Sequence, residues 1–284
     1  MLRVFFGQHK CASKWVTLLI ERMCNEMGWK CAIAYRAHVD GHGGLRPFIE
    51  KQLPDFLVIP ESDISLVGEI PVPFKGFHVI RDPRDLVVSG YFSHLKVHDL
   101  TTNPEQGVTA EHRRQLEELP KEQGIDLEIA TIARIPLEHL YEWNYRNPDI
   151  LEVKFEQLTA DPYKEMMAIL TFLDMEGPAN RLAFALRCYI NRLLKRAKIR
   201  GPRADRYSGS QLRKTLRDLS FENLKRGKPW WLNQKGAHYR KGKAGDWRHH
   251  LTNRQEREID RIFPGILEKL GYHGQAAGHP TVSP

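Results

Sequence analysis

The stretch VFFGQHKCASKWV, residues 4–16, constrains the fold more than any other part of the sequence. An apolar run of strand length leads into a short loop that carries Lys10, and the loop opens a helix whose apolar residues recur at helical spacing as far as Met27. The first turn of a helix presents unpaired N–H groups and the positive end of the helix dipole. This strand, loop and helix therefore predict a binding site for a phosphate-like anion.

Apolar runs and helical patterns alternate along most of the chain. This alternation predicts an α/β fold with a central, mainly parallel sheet flanked by helices. Ligands of such sheets bind at the carboxyl ends of the strands, where the first loop lies. The predicted strands are Leu2–Phe6, Lys30–Tyr35, Asp55–Pro60, Gly76–Ile80 and Leu151–Phe155. The predicted helices are Lys14–Met27, Pro83–Lys96, Ala110–Leu119, Ile125–Tyr145, Pro162–Leu173, Gln211–Leu224 and Thr252–Leu270, with Asp82 and Asp161 as caps.

Positive charge is concentrated in one region of the sequence. The 284 residues carry a net charge of +8, but residues 181–250 hold 20 Lys and Arg against 4 Asp and Glu, a net +16. This asymmetry indicates an anionic partner. Nucleic acid and a small polyanionic ligand both satisfy it.

The sequence has no apolar run near the roughly 20 residues that span a bilayer, and its first residues lack a signal-peptide pattern. We therefore expect a soluble, cytoplasmic protein. Its four cysteines form no C-x-x-C pair or metal-ligand spacing, so reduced thiols are expected at Cys11, Cys24, Cys31 and Cys188.

Three short motifs carry candidate chemistry, although the Walker A pattern is missing. In QHKCASK, residues 8–14, Lys10 can neutralise charge on a leaving oxygen while first-turn N–H groups hold the anion. In IRDPRDLVVS, residues 80–89, Arg81 and Ser89 can meet one anion if the chain folds back at the Asp-Pro turn. In HYRKGKAGDW, residues 238–247, the run Arg-Lys-Gly offers a forked guanidinium, the point charge of a lysine and free backbone amides. Together these groups suit a phosphate dianion.

Together these motifs resemble those of the sulfotransferases that use 3′-phosphoadenosine 5′-phosphosulfate (PAPS), and the resemblance spans nearly the whole chain. The second motif, R-x-x-x-D-x-x-x-S, matches in full, and the first departs from the family pattern at Cys11, Ala12 and Lys14. An alanine in place of the family's glycine at position 12 is tolerable only if its φ is negative. The matched residues are Lys10, Ser13 and Trp15, then Arg81, Asp85 and Ser89, then Arg240 through Gly245, Asp246, Trp247 and Arg248 to Thr252, with weaker matches around Phe155 and Phe221.

The resemblance implies a P-loop-like nucleotide-binding core in one sulfotransferase domain, residues 1–272, followed by a disordered tail, residues 273–284. It implies in-line transfer of the sulfuryl group from PAPS to a hydroxyl or amine of a small-molecule or carbohydrate acceptor, with release of 3′,5′-ADP and without metal. Lys10 would neutralise the bridging oxygen, and Ser89 would restrain Lys10 until the acceptor binds. The implied PAPS-binding residues are Lys10, Cys11, Ala12, Ser13, Lys14 and Trp15 around the first loop, Arg81, Ser89, Arg240, Lys241 and Gly242 at the 3′-phosphate, and Trp15, Phe155 and Phe221 near adenine.

The proton acceptor is left open by the sequence. Many cytosolic members of the family have a histidine after the third strand, where this chain has Glu61 and Asp63 instead. Asp63 is slightly favoured as the base because a helix-start position would fix its direction, although it could simply cap that helix. The remaining candidates for the proton acceptor are His9, His38, His42 and His94.

Two other functional classes remain open from the sequence. A nucleotide-dependent kinase would share the core fold but should show a Gly-rich phosphate loop and acidic Mg²⁺ ligands, which we do not find. A nucleic-acid-binding module would explain the basic region, but the motifs favour a nucleotide over nucleic acid. The sequence does not define the acceptor or the oligomeric state.

Overall fold

The computed structural model describes residues 1–96, 109–177, 181–196, 201–226 and 244–272. Within these residues five strands form one parallel sheet in the order β2-β3-β1-β4-β5. The strands are β1 (Leu2–Phe6), β2 (Cys31–Ile33), β3 (Phe56–Ile59), β4 (Phe74–Ile80) and β5 (Ile150–Lys154). The predicted α/β fold is confirmed.

The described helices connect and follow these strands. They are α1 (Ser13–Met27), α2 (Arg36–Asp40), α3 (Leu45–Gln52), α4 (Ile64–Gly68), α5 (Pro83–Lys96), α6 (Ala110–Glu118), α7 (Lys121–Ala130), α8 (Arg134–Glu142), α9 (Phe155–Ala160), α10 (Pro162–Phe172), α11 (Arg181–Arg196), α12 (Gly209–Asp218), α13 (Phe221–Lys225), α14 (Asn253–Ile262) and α15 (Ile266–Lys269), with a 3₁₀ helix at Asp246–His249.

The chain divides into two compact units, each built from two segments. Unit 1 comprises Met1–Ile80 and Trp143–Gly242 and contains the sheet, whereas unit 2 comprises Arg81–Glu142 and Lys243–Pro284 and is helical where it is described. The assignment of residues 1–272 to one domain stays a prediction.

The sheet of unit 1 is buried around its central strand, β1. Because alternate residues of a strand face opposite sides, Val4 and Phe6 pack into one apolar cluster with Leu57 of β3. On the other side Phe5 stacks on Phe77 of β4, with ring centroids 4.8 Å apart. Burial of both faces explains why these strands are continuous apolar runs, and it fixes the carboxyl end of β1 as the start of the predicted anion loop.

Three predicted helices are interrupted in the structure. The predicted helix over Ile125–Tyr145 is two helices, α7 and α8, because Pro136 fits only the first turn of a helix and would clash inside a longer one. The predicted helix over Thr252–Leu270 ends at Ile262, before Pro264 and Gly265, and the φ of Gly265 is 71°. The predicted helix over Gln211–Leu224 breaks where Ser220 caps α13.

The structure also bears on the predicted caps, helices and tail. Asp161 accepts a hydrogen bond from the N–H of Lys164, so the predicted cap of α10 is confirmed. Helix α11 was not predicted. Within the described ranges, no helix is both long and apolar enough to cross a membrane. The predicted tail, residues 273–284, lies outside the described residues.

Candidate active site

Hydrogen bonds hold the loop after β1 against the loop after β3 within unit 1. The backbone carbonyl of Gly7 accepts hydrogen bonds from the N–H and the hydroxyl of Ser62, each 2.9 Å long. The buried Gln8 amide donates to the Ser62 carbonyl at 2.5 Å. A side chain at position 7 would place its Cβ 2.6 Å from the Pro60 carbonyl oxygen, so this close approach requires glycine. These contacts fix the path of the chain as it enters the Lys10 loop.

Two residues of this loop adopt the left-handed backbone conformation. The φ of Lys10 is 64° and that of Ala12, directly before α1, is 63°. The condition of a negative φ at Ala12 is therefore not met. Alanine offers no side-chain acceptor, so α1 begins without a side-chain cap, while the Ser13 hydroxyl donates to the Gln8 carbonyl at 2.6 Å. The two positive φ angles strain the backbone, but they let the loop turn sharply into the N-terminus of α1. A helix N-terminus favours the binding of anions.

Replacing Ala12 by glycine should stabilise the protein. A left-handed non-glycine residue costs about 1–2 kcal/mol, and glycine relieves the Cβ clash, so we expect Ala12→Gly to raise the free energy of unfolding by about 1 kcal/mol in a denaturant titration. The matched control is Ala168→Gly on the exposed side of α10, where glycine should instead lower that free energy by about 1 kcal/mol. A loss of stability in both variants would contradict the backbone strain at position 12.

The two predicted adenine-binding rings lie next to each other in unit 1. The Trp15 indole N–H donates to the Leu219 carbonyl at 2.8 Å, and the Trp15 and Phe221 ring centroids are 5.9 Å apart at an angle of 56°. Because the rings touch, a base can enter between them only if one ring moves. The binding of adenine between Trp15 and Phe221 therefore stays a prediction. Phe155 lies buried at the start of α9, directly after β5.

The two candidate bases follow β3 but differ in their contacts. The Asp63 carboxylate accepts hydrogen bonds from the N–H, at 2.8 Å, and the hydroxyl of Ser65, so it caps α4. Glu61 is exposed on the same loop, and one of its oxygens lies 3.6 Å from Nδ1 of His9, the residue before Lys10. Asp63 is thus engaged as the cap of α4, whereas Glu61 lies beside His9. Which of the two carboxylates takes the acceptor's proton stays a prediction.

The second and third motifs are joined within unit 2 by the carboxylate of Asp85. Its two oxygens accept the N–H of Gly245 at 2.5 Å and that of Trp247 at 2.9 Å. Burial raises the pKa of the Asp85 carboxyl, and the Arg81 charge with the two N–H groups offsets only part of that rise. Arg81 is buried directly after β4, and Ser89 lies half-buried on α5. Asp85 therefore anchors the chain at the end of the third motif to the helix that carries Ser89.

A second contact between these motifs is made by Arg84. Its guanidinium lies 3.7 Å from the ring centroid of the buried Trp247 and bonds the Asp82 carboxylate at 2.8 and 3.0 Å. Burial disfavours the charged guanidinium, but Asp82 and Glu256 outweigh burial and raise the pKa of Arg84. The Asp82–Arg84 pair is thus a buried structural pair that holds the 3₁₀ helix against α5.

Neutralising Asp85 should destabilise this junction. In Asp85→Asn the amide has one oxygen for two N–H donors, the buried one of Trp247 and the part-buried one of Gly245. Leaving a buried donor unsatisfied costs about 1–3 kcal/mol, which denaturant unfolding can measure. The control Glu117→Gln removes a charge at an exposed position of α6 and should change stability by less than about 0.5 kcal/mol. Equal stability of wild type and Asp85→Asn would show that the anchor is not needed.

The structure covers the predicted site residues unevenly. It brings together His9, the residue before Lys10, with Glu61, Trp15 with Phe221, and Arg81 with Asp85. Arg240, Lys241 and Gly242 lie outside the described residues. Sequence reasoning did not assign roles to Gln8, Ser62 and Arg84, or to Asp85 as an anchor. The contacts of Gln8 with Ser62, of Arg84 with Trp247 and of Asp85 with Gly245 join residues distant in sequence, so no local pattern could have revealed them.

Comparison with known proteins identifies the family. The model of the sulfotransferase domain family matches residues 73–272, which is more than half of the chain and includes the second and third motifs. The chain belongs to the sulfotransferase domain family.

Individual relatives are distant. An amine sulfotransferase from Oryctolagus cuniculus is 23% identical over 191 residues, covering 66% of this chain and 53% of that relative, so the match spans about half of the relative's length. A mouse sulfotransferase, SULT7A1, solved with PAP is 17% identical with a TM-score of 0.59, covering 95% of this chain and 86% of that one, which shows a shared fold. A retinol dehydratase solved with androsterone and PAP is 16% identical with a TM-score of 0.45, covering 94% of this chain and 80% of that one. The P-loop-like fold expected from the motifs is confirmed.

Proposed function

We propose that this protein transfers the sulfuryl group of PAPS to a hydroxyl or amine of a small-molecule or carbohydrate acceptor and releases 3′,5′-ADP. The observation that carries the proposal is family membership combined with the fastened loop between β1 and α1, on which Lys10 precedes a helix N-terminus. PAP, the nucleotide in the mouse sulfotransferase structure, is 3′,5′-ADP, the product that this reaction would release.

The transfer step follows from charge movement. The acceptor oxygen or nitrogen attacks sulfur in line, the bond from sulfur to the bridging oxygen of PAPS breaks, and that oxygen takes the bonding electron pair. Lys10 neutralises the charge that develops there. The acceptor's proton goes to a carboxylate, either that of Glu61 or that of Asp63. The proposal includes no metal ion in this step.

Each end of the nucleotide has its own residues in the proposal. The loop from Lys10 to Trp15 holds the 5′-phosphosulfate through first-turn N–H groups, and Trp15 and Phe221 bind adenine near Phe155. Arg81 and Ser89 hold the 3′-phosphate, together with Arg240, Lys241 and the amide of Gly242. Asp85 supports this arrangement by anchoring Gly245, three residues after Gly242.

Transfer of labelled sulfate from PAPS to panels of alcohols, phenols, amines and sugars tests the proposal. A labelled product that forms only when both the enzyme and an acceptor are present supports it, and the panel that is labelled identifies the acceptor class. Assays of Glu61→Ala and Asp63→Ala at saturating PAPS then locate the base, since only the base variant should lose turnover while binding 3′,5′-ADP normally. Phosphate transfer from ATP with no sulfate transfer from PAPS would favour a kinase instead.

A further inference from the structure

Three buried side chains with metal-binding donor atoms converge inside unit 2. They are His94 on α5, His112 on α6 and Glu128 on α7, and their donor atoms all lie within 4.8 Å of one another. Nδ1 of His94 is 3.0 Å from both Glu128 oxygens, and Nε2 of His112 is 3.4 Å from one of them. His94 and Glu128 have no exposed surface, and His112 is 6% exposed. The transfer reaction proposed above does not use this cluster.

The helices are shaped to admit the carboxylate. Gly90 on α5 faces Glu128, and a Cβ at that position would lie 2.6 Å from Oε1 of the carboxylate. Glycine inside a helix is less favourable than alanine, and the space that Glu128 needs explains its presence here. Beside the cluster Nε of Arg113 donates to the His94 carbonyl at 2.9 Å, which ties α6 to α5. The three donors are thus held by helix packing.

The donor set suits a divalent transition metal. Two imidazole nitrogens and a carboxylate oxygen are ligands that Zn²⁺ takes in proteins. Zn²⁺ binds imidazole nitrogen and carboxylate oxygen at about 2.0–2.2 Å, so neighbouring donors of a tetrahedral site lie about 3.3 Å apart. The His94–Glu128 and His112–Glu128 separations of 3.0 and 3.4 Å bracket that value, and all three donor atoms lie within 4.8 Å of one another.

We propose that His94, His112 and Glu128 form a zinc-type metal site that ties α5, α6 and α7 together, with a fourth position for a solvent ligand. A buried carboxylate needs compensating charge, and a divalent ion between two neutral imidazoles supplies it. The site is structural, and the proposal is independent of the transfer reaction. Without metal, the same residues would form only a hydrogen-bonded triad.

The test measures metal binding directly on the full chain. Protein treated with a chelator and desalted is titrated with Zn²⁺ by calorimetry and with Co²⁺ by visible absorption. We expect one equivalent of Zn²⁺ to bind with a Kd in the micromolar range or below and to raise the melting temperature. We also expect Co²⁺ to produce the intense visible bands of tetrahedral coordination. Absence of saturable Zn²⁺ binding to wild type would overturn the proposal.

Matched variants assign the binding to the cluster. His112→Gln and Glu128→Gln should each weaken Zn²⁺ binding by about 100-fold or more, whereas His139→Gln on α8 should bind like wild type. If Glu128→Gln fails to fold, His112→Gln decides, since His112 lies at the edge of the cluster. Wild-type affinity in His112→Gln would show that the ion binds elsewhere and would refute the site. Because the readout is metal binding, failure here leaves the sulfotransferase proposal intact.

Discussion

Replacing Lys10 by methionine is expected to lower turnover about 100- to 1,000-fold while 3′,5′-ADP binding changes by less than about tenfold. The positive charge is needed most when the bridging oxygen becomes anionic, so its loss should raise the barrier by about 3–4 kcal/mol, as for a lost oxyanion donor. Methionine keeps the length of the side chain and removes its charge. Turnover at saturating PAPS and the thermal shift with 3′,5′-ADP measure the two effects separately.

The control for this change is Lys51→Met, which removes an exposed lysine on α3 of the same unit. It should match wild type in both measurements. If Lys10→Met retains turnover within about tenfold, Lys10 does not neutralise the leaving oxygen. If both turnover and nucleotide binding collapse, Lys10 serves mainly to bind the ground state.

The 3′-phosphate should dominate nucleotide recognition. Four side chains, Arg81, Ser89, Arg240 and Lys241, are assigned to this group, and each charge-assisted hydrogen bond is worth about 1.5–3 kcal/mol. Two such bonds already correspond to a factor on the order of 100 in affinity. We therefore expect 3′,5′-ADP to bind at least about 100-fold more tightly than 5′-AMP and to give a much larger thermal shift.

Two comparisons make this result specific. Ser89→Ala should reduce the preference for 3′,5′-ADP, whereas Ser93→Ala, the same change one turn further along α5, should leave it unchanged. A nucleic-acid-binding module predicts the opposite pattern, with equal binding of the two mononucleotides and oligonucleotide binding that falls steeply with salt. Equal thermal shifts with 3′,5′-ADP and 5′-AMP would reject the assignment of the 3′-phosphate site.

The strands were predictable because the sheet is parallel and its central strands are buried on both faces. The same logic located α5 and α10, where Pro83 and Pro162 occupy first-turn positions and Asp161 caps the second helix. It failed where one helical pattern continued across a break. The predicted helix Ile125–Tyr145 ran across the turn at 131–133 between α7 and α8, and Pro136, which has no N–H to donate, lies in the first turn of α8.

What the sequence by itself determined is local: the strand, loop and helix around Lys10, the Arg81-to-Ser89 spacing, and the chemical nature of the anion they suit. What only the tertiary structure decided is which distant groups meet. Asp85 reaches Gly245 across 160 positions, and His94, His112 and Glu128 meet from three helices. The left-handed backbone of Ala12 is another tertiary result, because the fastening of Gly7 and Gln8 to Ser62 constrains the loop despite the preference of alanine for negative φ. Periodicity and spacing specify elements within a few turns of chain, whereas contacts between remote residues depend on how those elements pack.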